Sequence, residues 1–144
     1  MKMEESLNYL FVYGTLRDAS VNHKAYFLKS NATLIGKATI NARLYKVSWY
    51  PAIILSPSDQ DIVHGEIYQI SYDVLEMVLH ELDSYEGIYE SNEASDEYER
   101  VATTAVTAEG VAILCWVYNY KAKLPEASRI LSGDYIDFLV TQRN

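Results

Sequence analysis

Residues Ile62–Gly87, IVHGEIYQISYDVLEMVLHELDSYEG, carry the change of rhythm on which the fold turns. Up to Ile70 the stretch is short and apolar and reads as a strand, with Val63, Gly65, Ile67 and Tyr68 in an imperfect alternation that leaves room for burial on both faces. From Tyr72 the period becomes helical: Leu75, Val78, Leu82 and Tyr85 recur at spacings of three, four and three, the stripe of an amphipathic helix. Ser71 is placed to cap its start and Gly87 to follow its end, so the last turn falls near Asp83 to Glu86. A strand running into a helix sets a mixed architecture.

Working toward the N-terminus, the polar turn SPSDQD precedes this unit, and a short strand is expected from Pro51 to Leu55. Residues 33–47 (TLIGKATINARLYKV) read as two strands meeting near Asn41. Asn8 to Tyr13 (NYLFVY) is an aromatic, apolar run ending at Gly14, a buried strand entering a tight turn. Toward the C-terminus, residues 88–97 (IYESNEASDE) are acidic and read as a surface loop. Strands Tyr98 to Thr107 and Val111 to Asn119 follow, joined at Ala108, Glu109 and Gly110 as a hairpin. A helix is expected after Ser132, with Ile136, Leu139 and Val140 facing inward. The expected fold is α+β, a mixed, barrel-like sheet of about six to seven strands with two or more short helices. With 3 Pro, 6 Gly, no linker and no repeat, residues 1–144 read as one domain.

Composition narrows the chemistry. The 144 residues carry 12 Lys+Arg against 20 Asp+Glu, a formal net charge of -8, and no basic run, which argues against nucleic acid and against an anionic membrane surface. The charges are also segregated: residues 47–99 hold 13 acids and no Lys or Arg. No apolar segment approaches the ~18 residues of a membrane span, and Glu4 and Glu5 stand where a signal peptide is basic or apolar, so a cytoplasmic location is expected. The single cysteine, Cys115, excludes an internal disulfide and a zinc site of several thiolates; within VAILCWV it reads as a small core residue. No two glycines lie close enough for GxGxxG or GK[ST], and no GxSxG elbow occurs. His64-Gly65-Glu66 lacks the CxxC half of a zinc deaminase signature, and His80-Glu81 lacks the second histidine of HExxH. With His23 they show no metal-ligand spacing, and each reads as surface or core edge.

Two features remain. Glu86 stands at the C-terminal end of the expected helix, where the macrodipole disfavours a carboxylate, and Glu81, Asp83 and Glu90 are its neighbours in sequence. Both effects raise a carboxyl pKa toward the range of a general acid/base, although on these grounds alone a glutamate at a frayed helix end is more often plain solvated surface. The second feature is Tyr13-Gly14-Thr15-Leu16-Arg17 directly after the first strand, where a glycine turn can aim consecutive backbone N–H groups at a carboxylate or an oxyanion. Alone it is as consistent with an ordinary turn.

Taken together, FVYGTLR, WYPAII, VHGEIYQI and LDSYEGI followed by YERV resemble the gamma-glutamylcyclotransferase-like superfamily in order and approximate spacing, from about Phe11 to Tyr120. The terminal Ser132-Gly133-Asp134-Tyr135 is similar to a pattern near the end of bacterial members. The resemblance implies a cavity whose floor is the YGTL turn, Glu86 as general base, and a cofactor-free reaction without a metal. In that reaction the α-amine of a gamma-glutamyl group attacks its own gamma-carbonyl, releasing an amine or amino acid and leaving 5-oxoproline. Backbone groups of Tyr13, Gly14, Thr15 and Leu16 would hold the glutamyl end. Arg17 and Arg100 are candidates to balance substrate carboxylates or, equally, serve the fold. Tyr50, Trp116 and Tyr120 are candidates for the cavity wall, Tyr120 because it resembles a family position that can face the site. The acidic stretch between Gly87 and Tyr98 is longer than the usual pattern, which bears on the cavity mouth and the leaving group. The expected partner is a small gamma-glutamyl compound. A ligand-binding module that keeps the cavity without turnover, and an interaction protein using its acidic face, are the alternatives.

Overall fold

Six strands and three helices make up the computed structural model, which describes residues 7–14, 23–47, 50–85 and 97–142. In chain order they are β1 (Tyr9–Val12), α1 (His23–Asn31), β2 (Ala32–Val47), β3 (Tyr50–Leu55), β4 (Ile62–Ile70), α2 (Leu75–Tyr85), β5 (Tyr98–Thr107), β6 (Ala112–Tyr120) and α3 (Tyr135–Gln142), with a 3-10 turn at Glu126–Ser128. Strands β2, β4, β1, β6 and β5 pair in that order, and β5 returns to β2 at Ala38↔Thr107 and Thr39↔Val106. The result is a closed five-strand barrel, which leaves those strands no free edge. β3 is the extra strand, paired with the second half of β2. All pairs are antiparallel except β1 with β6.

Residues 32–47 form one 16-residue strand, where the sequence pattern suggested two. Up to Asn41 it pairs with β4, and from Ala42 it pairs with β3, so Asn41 marks a change of partner within an unbroken backbone. Asn41 is exposed, and its side-chain amide donates to the Asp61 carbonyl at 3.4 Å, so a polar residue here needs no break in the strand. A register shift between Leu34 and Gly36 bends the first half as it wraps the barrel.

Strand β4 is buried on both faces only in its second half, since Ile62 and His64 are exposed on one face of the first. Val63 and Ile67 join Phe11, Ile40, Ala105, Cys115 and Val117 on one side, whereas Tyr68 and Ile70 join Leu10, Val12 and α2 on the other. Gly65 permits the inner packing: a Cβ there would collide with the Val12 carbonyl and the Phe11 ring. In α2 the buried stripe is Leu75, Val78, Leu79 and Leu82, while Tyr85 is exposed. The helix begins three residues after Tyr72, because Val74 N–H bonds the Ser71 carbonyl at 3.1 Å and Leu75 N–H bonds that of Tyr72 at 3.4 Å, a preceding turn. Helix α1 has no apolar stripe for the eye to find, and among residues 26–31, whose side chains are described, Leu28 alone is fully buried. The hairpin between β5 and β6 is closed by Gly110 at φ +84.

The inward face of α3 agrees with the expected one at Leu139 and differs from it at Val140. Asp134 caps the helix, its Oδ1 accepting the Asp137 N–H at 3.1 Å, so the first turn starts at Tyr135. Tyr135 is buried and Phe138 and Leu139 pack beside it, the i, i+3, i+4 face, which leaves Val140 exposed. Among the described residues no helix is long and apolar enough to cross a membrane.

Candidate functional site

Strand β1 ends at Val12, and the two residues that follow are fixed by different devices. Tyr13 is buried, and its hydroxyl donates to the Tyr118 carbonyl of β6 at 2.8 Å. Gly14 lies against Pro51 at the start of β3: a Cβ on Gly14 would stand 2.5 Å from Pro51 Cγ, so the chain approaches closely only because there is none. Pro51 is itself held, since its carbonyl accepts the buried Tyr98 hydroxyl at 2.8 Å. The Tyr98 ring meets Tyr120 edge-on, with centroids 5.3 Å apart and planes at 83°. A backbone that must turn after β1 therefore rests on proline and aromatic surface supplied by β3, β5 and β6.

The second half of the site is the end of α2. Asp83 sits in its last turn, next to the fully buried Leu82. Its carboxylate accepts Arg100 Nε at 2.8 Å and Nη2 at 3.2 Å, a two-pronged pair, and the Tyr118 hydroxyl at 2.8 Å. The Arg100 guanidinium lies 4.3 Å from the centroid of the Trp116 ring, and Trp116 Nε1 donates to the Leu7 carbonyl at 2.9 Å. Both partners of the ion pair are largely buried, with side chains 22% and 20% exposed. At that burial a two-pronged pair holds geometry as well as charge.

Of the residues singled out in the sequence, Tyr13, Gly14, Arg100 and Tyr120 are thus brought into one connected region, with Trp116 beside Arg100. Tyr50 opens β3 opposite Val47; its side chain, together with Thr15, Leu16, Arg17 and Glu86, lies outside the described residues. The sequence reading passed over Pro51, Tyr98 and Tyr118 as site residues and took Asp83 only as a neighbouring acid. The one available signal was that Arg100 is the first base after a long acidic stretch.

Other polar centres lie elsewhere. Asp61 takes Arg43 Nε at 2.8 Å, Arg129 Nη2 at 2.9 Å and the Ser56 hydroxyl at 2.7 Å, and these donors hold its carboxyl down at about 2. Burial pushes the Cys115 thiol up to about 12, so it stays protonated and unreactive at neutral pH, as its apolar setting suggested. Burial, with help from the charge of Glu66, likewise raises the Tyr68 phenol to about 12. Two cavities of about 310 and 280 Å³ share Thr39 and His64; Arg129 lines the larger, and neither includes a residue of the region around Tyr118, Asp83 and Pro51.

The arrangement offers a braced turn, a braced helix end and an aromatic wall between them. That suits a reaction in which the substrate is folded and held more than one in which a protein nucleophile attacks. The family described as gamma-glutamyl cyclotransferase, AIG2-like, matches residues 10–137. A Methanocaldococcus jannaschii protein provisionally named a gamma-glutamylcyclotransferase is 32% identical over 134 residues, covering 92% of this chain and 98% of its own. The gamma-glutamylaminecyclotransferase of Rattus norvegicus is 29% identical over 135 residues, 82% of this chain and 81% of its own. The crystal structure of an AIG2-like protein from Mus musculus superposes with a TM-score of 0.68 at 26% identity, covering 90% of this chain and 88% of that one. The chain belongs to the gamma-glutamyl cyclotransferase, AIG2-like family.

Proposed function

We propose that the protein is a working cyclotransferase that converts a gamma-glutamyl amine to 5-oxoproline and the free amine, with Glu86 as its acid/base. The observation that carries this is Tyr118, which bonds both halves of the site: its carbonyl accepts Tyr13 of the YGTL segment, and its hydroxyl donates to Asp83 of the LDSYEG segment. Two motifs some seventy residues apart are thereby tied through one residue.

The substrate supplies its own nucleophile. Glu86 takes a proton from the α-ammonium, and the freed amine attacks the gamma-carbonyl, forming the new N–C bond of the lactam. Backbone N–H groups of the Gly14–Leu16 turn stabilise the oxygen as it becomes negative. The old C–N bond then breaks: the proton held by Glu86 goes to the departing nitrogen, and Glu86 relays to it the second proton that the ring nitrogen loses, so the amine leaves as an ammonium and neither water nor a redox partner is consumed. Only a carboxyl whose pKa lies near the working pH serves both directions. Arg17 and Arg100 are the cations proposed to balance the substrate carboxylate; two of the three Arg100 nitrogens, Nε and Nη2, already face Asp83. Tyr50 and Tyr120 are proposed wall residues. An amine leaving group is preferred because the rat relative is named for one.

Incubation with a panel of gamma-glutamyl amines and gamma-glutamyl amino acids, with 5-oxoproline measured, tests this. Turnover is expected with at least one amine, and Glu86→Gln is expected to lose it by a factor of about a hundred or more. Full activity in Glu86→Gln removes the proposal. Tight binding of the panel without any product shows a binding module instead.

A further inference from the structure

We infer that Asp83 is a positioning residue for the reaction: by gripping β5 and β6 at once, it sets where the chain leaving α2 delivers Glu86. The inference rests on the role proposed for Glu86. An acid in the last turn of a helix is opposed by the macrodipole, so Asp83 is badly placed for the stability of α2 taken alone. Its three donors offset that disadvantage, and they come from two strands: Arg100 Nε and Nη2 from β5, and the Tyr118 hydroxyl from β6. A two-pronged contact fixes direction, and a third contact from another strand fixes rotation. With Leu82 buried beside it, the last turn of α2 has little freedom left.

The grip is itself braced. Arg100 lies over Trp116, and Trp116 is tied to Leu7 just before β1. Tyr118, which holds Asp83, also receives the Tyr13 hydroxyl, so the end of α2 and the turn after β1 share one reference point. Glu86 follows Asp83 by three residues and lies at most about 11 Å from it, Cα to Cα. A displacement of the anchor therefore passes to the base with few joints between. Misplacement of a reacting group by about 1 Å costs on the order of 100-fold in rate, whereas ground-state binding by the turn after β1 needs no such accuracy at Glu86. The expected signature is a loss in kcat with KM preserved.

The test compares wild type with Glu86→Gln, Asp83→Asn and Tyr118→Phe, using the best gamma-glutamyl substrate from the panel. Asp83→Asn keeps the shape but gives up the charge that orients Arg100; Tyr118→Phe removes one hydroxyl and is the variant least able to disturb folding. Both are expected to lower kcat, about 10- to 100-fold for Asp83→Asn and severalfold for Tyr118→Phe; KM stays within about threefold of wild type in Tyr118→Phe, which leaves the Arg100 pair intact, and rises in Asp83→Asn as far as Arg100 serves the substrate carboxylate. Assays are run well below each variant's measured Tm, where a purely structural role leaves kcat unmoved. If Asp83→Asn does not fold, Tyr118→Phe decides. Wild-type kcat in the folded variants, with Glu86→Gln inactive, overturns the inference and leaves the proposed function standing. An active Glu86→Gln, or no product from wild type, removes the proposed function and the inference with it.

Discussion

Gly14 and Pro51 show how far single atoms set this site. The turn after β1 passes Pro51 at a distance that admits no side chain, and Pro51 cannot simply withdraw, because the buried Tyr98 hydroxyl holds its carbonyl. Gly14→Ala therefore forces either the turn or the proline to move, an overpacking cost of about 1–3 kcal/mol. Urea unfolding is expected to show that loss, and adding Pro51→Ala, which removes Cγ, is expected to recover part of it. Unchanged stability in Gly14→Ala alone would mean that the proline yields freely. The glycine was readable in the sequence because a strand stops at it. Its proline was not, since a contact between residues 14 and 51 leaves no spacing pattern. The same holds for Tyr118 and Asp83, 35 residues apart and joined only once the barrel has closed.

At the level of elements, what periodicity carries was legible and what partners decide was not. β4 matches the pattern end for end, and β5 does too, because their runs are bounded by turn residues and filled with residues that suit strands. β2 was divided in two because Asn41 looks like an interruption, although its amide is satisfied by Asp61 at the place where the strand changes neighbours. The face of α3 was misassigned at Val140 because the cap at Asp134, not the run of apolar residues, decides where the helix begins. For α2 the stripe predicts energetics as well as position. Leu82 is fully buried and Met77 is 46% exposed on the same helix. Leu82→Ala is expected to cost about 2–5 kcal/mol and Met77→Ala less than about 0.5 in chemical denaturation. Equal losses would mean that α2 is not held by its buried stripe.

Across the whole molecule, the charge segregation of the chain is undone by folding. Residues 47–99 contain acids alone, yet Asp61 meets Arg43 from one flank and Arg129 from the other, and Asp83 meets Arg100. These pairs tie the acidic middle of the chain to both ends, at Asp61 just before β4 and at Asp83 in the last turn of α2. Acid weakens the pairs at Asp61, and the sign follows from its pKa. Its pKa is lowered from 3.8 to about 2 on folding, so the folded state favours the charged carboxylate more than the unfolded chain does. The stability this contributes is present in full above the unfolded value and is lost as pH falls from about 4 through about 2. Net repulsion acts in the opposite sense at first, because a chain at -8 sheds charge on the way to its pI near 4.8. Asp61→Asn separates the two, since the global charge term is almost common to both proteins. Thermal melts from pH 7 to pH 2 are expected to show Asp61→Asn well below wild type above about pH 5, with the gap closing steadily toward pH 2. A gap that stays constant over that range would show that Asp61 acts through its shape and neutral hydrogen bonds, and that the arginines gathered from the two flanks contribute nothing by their charge.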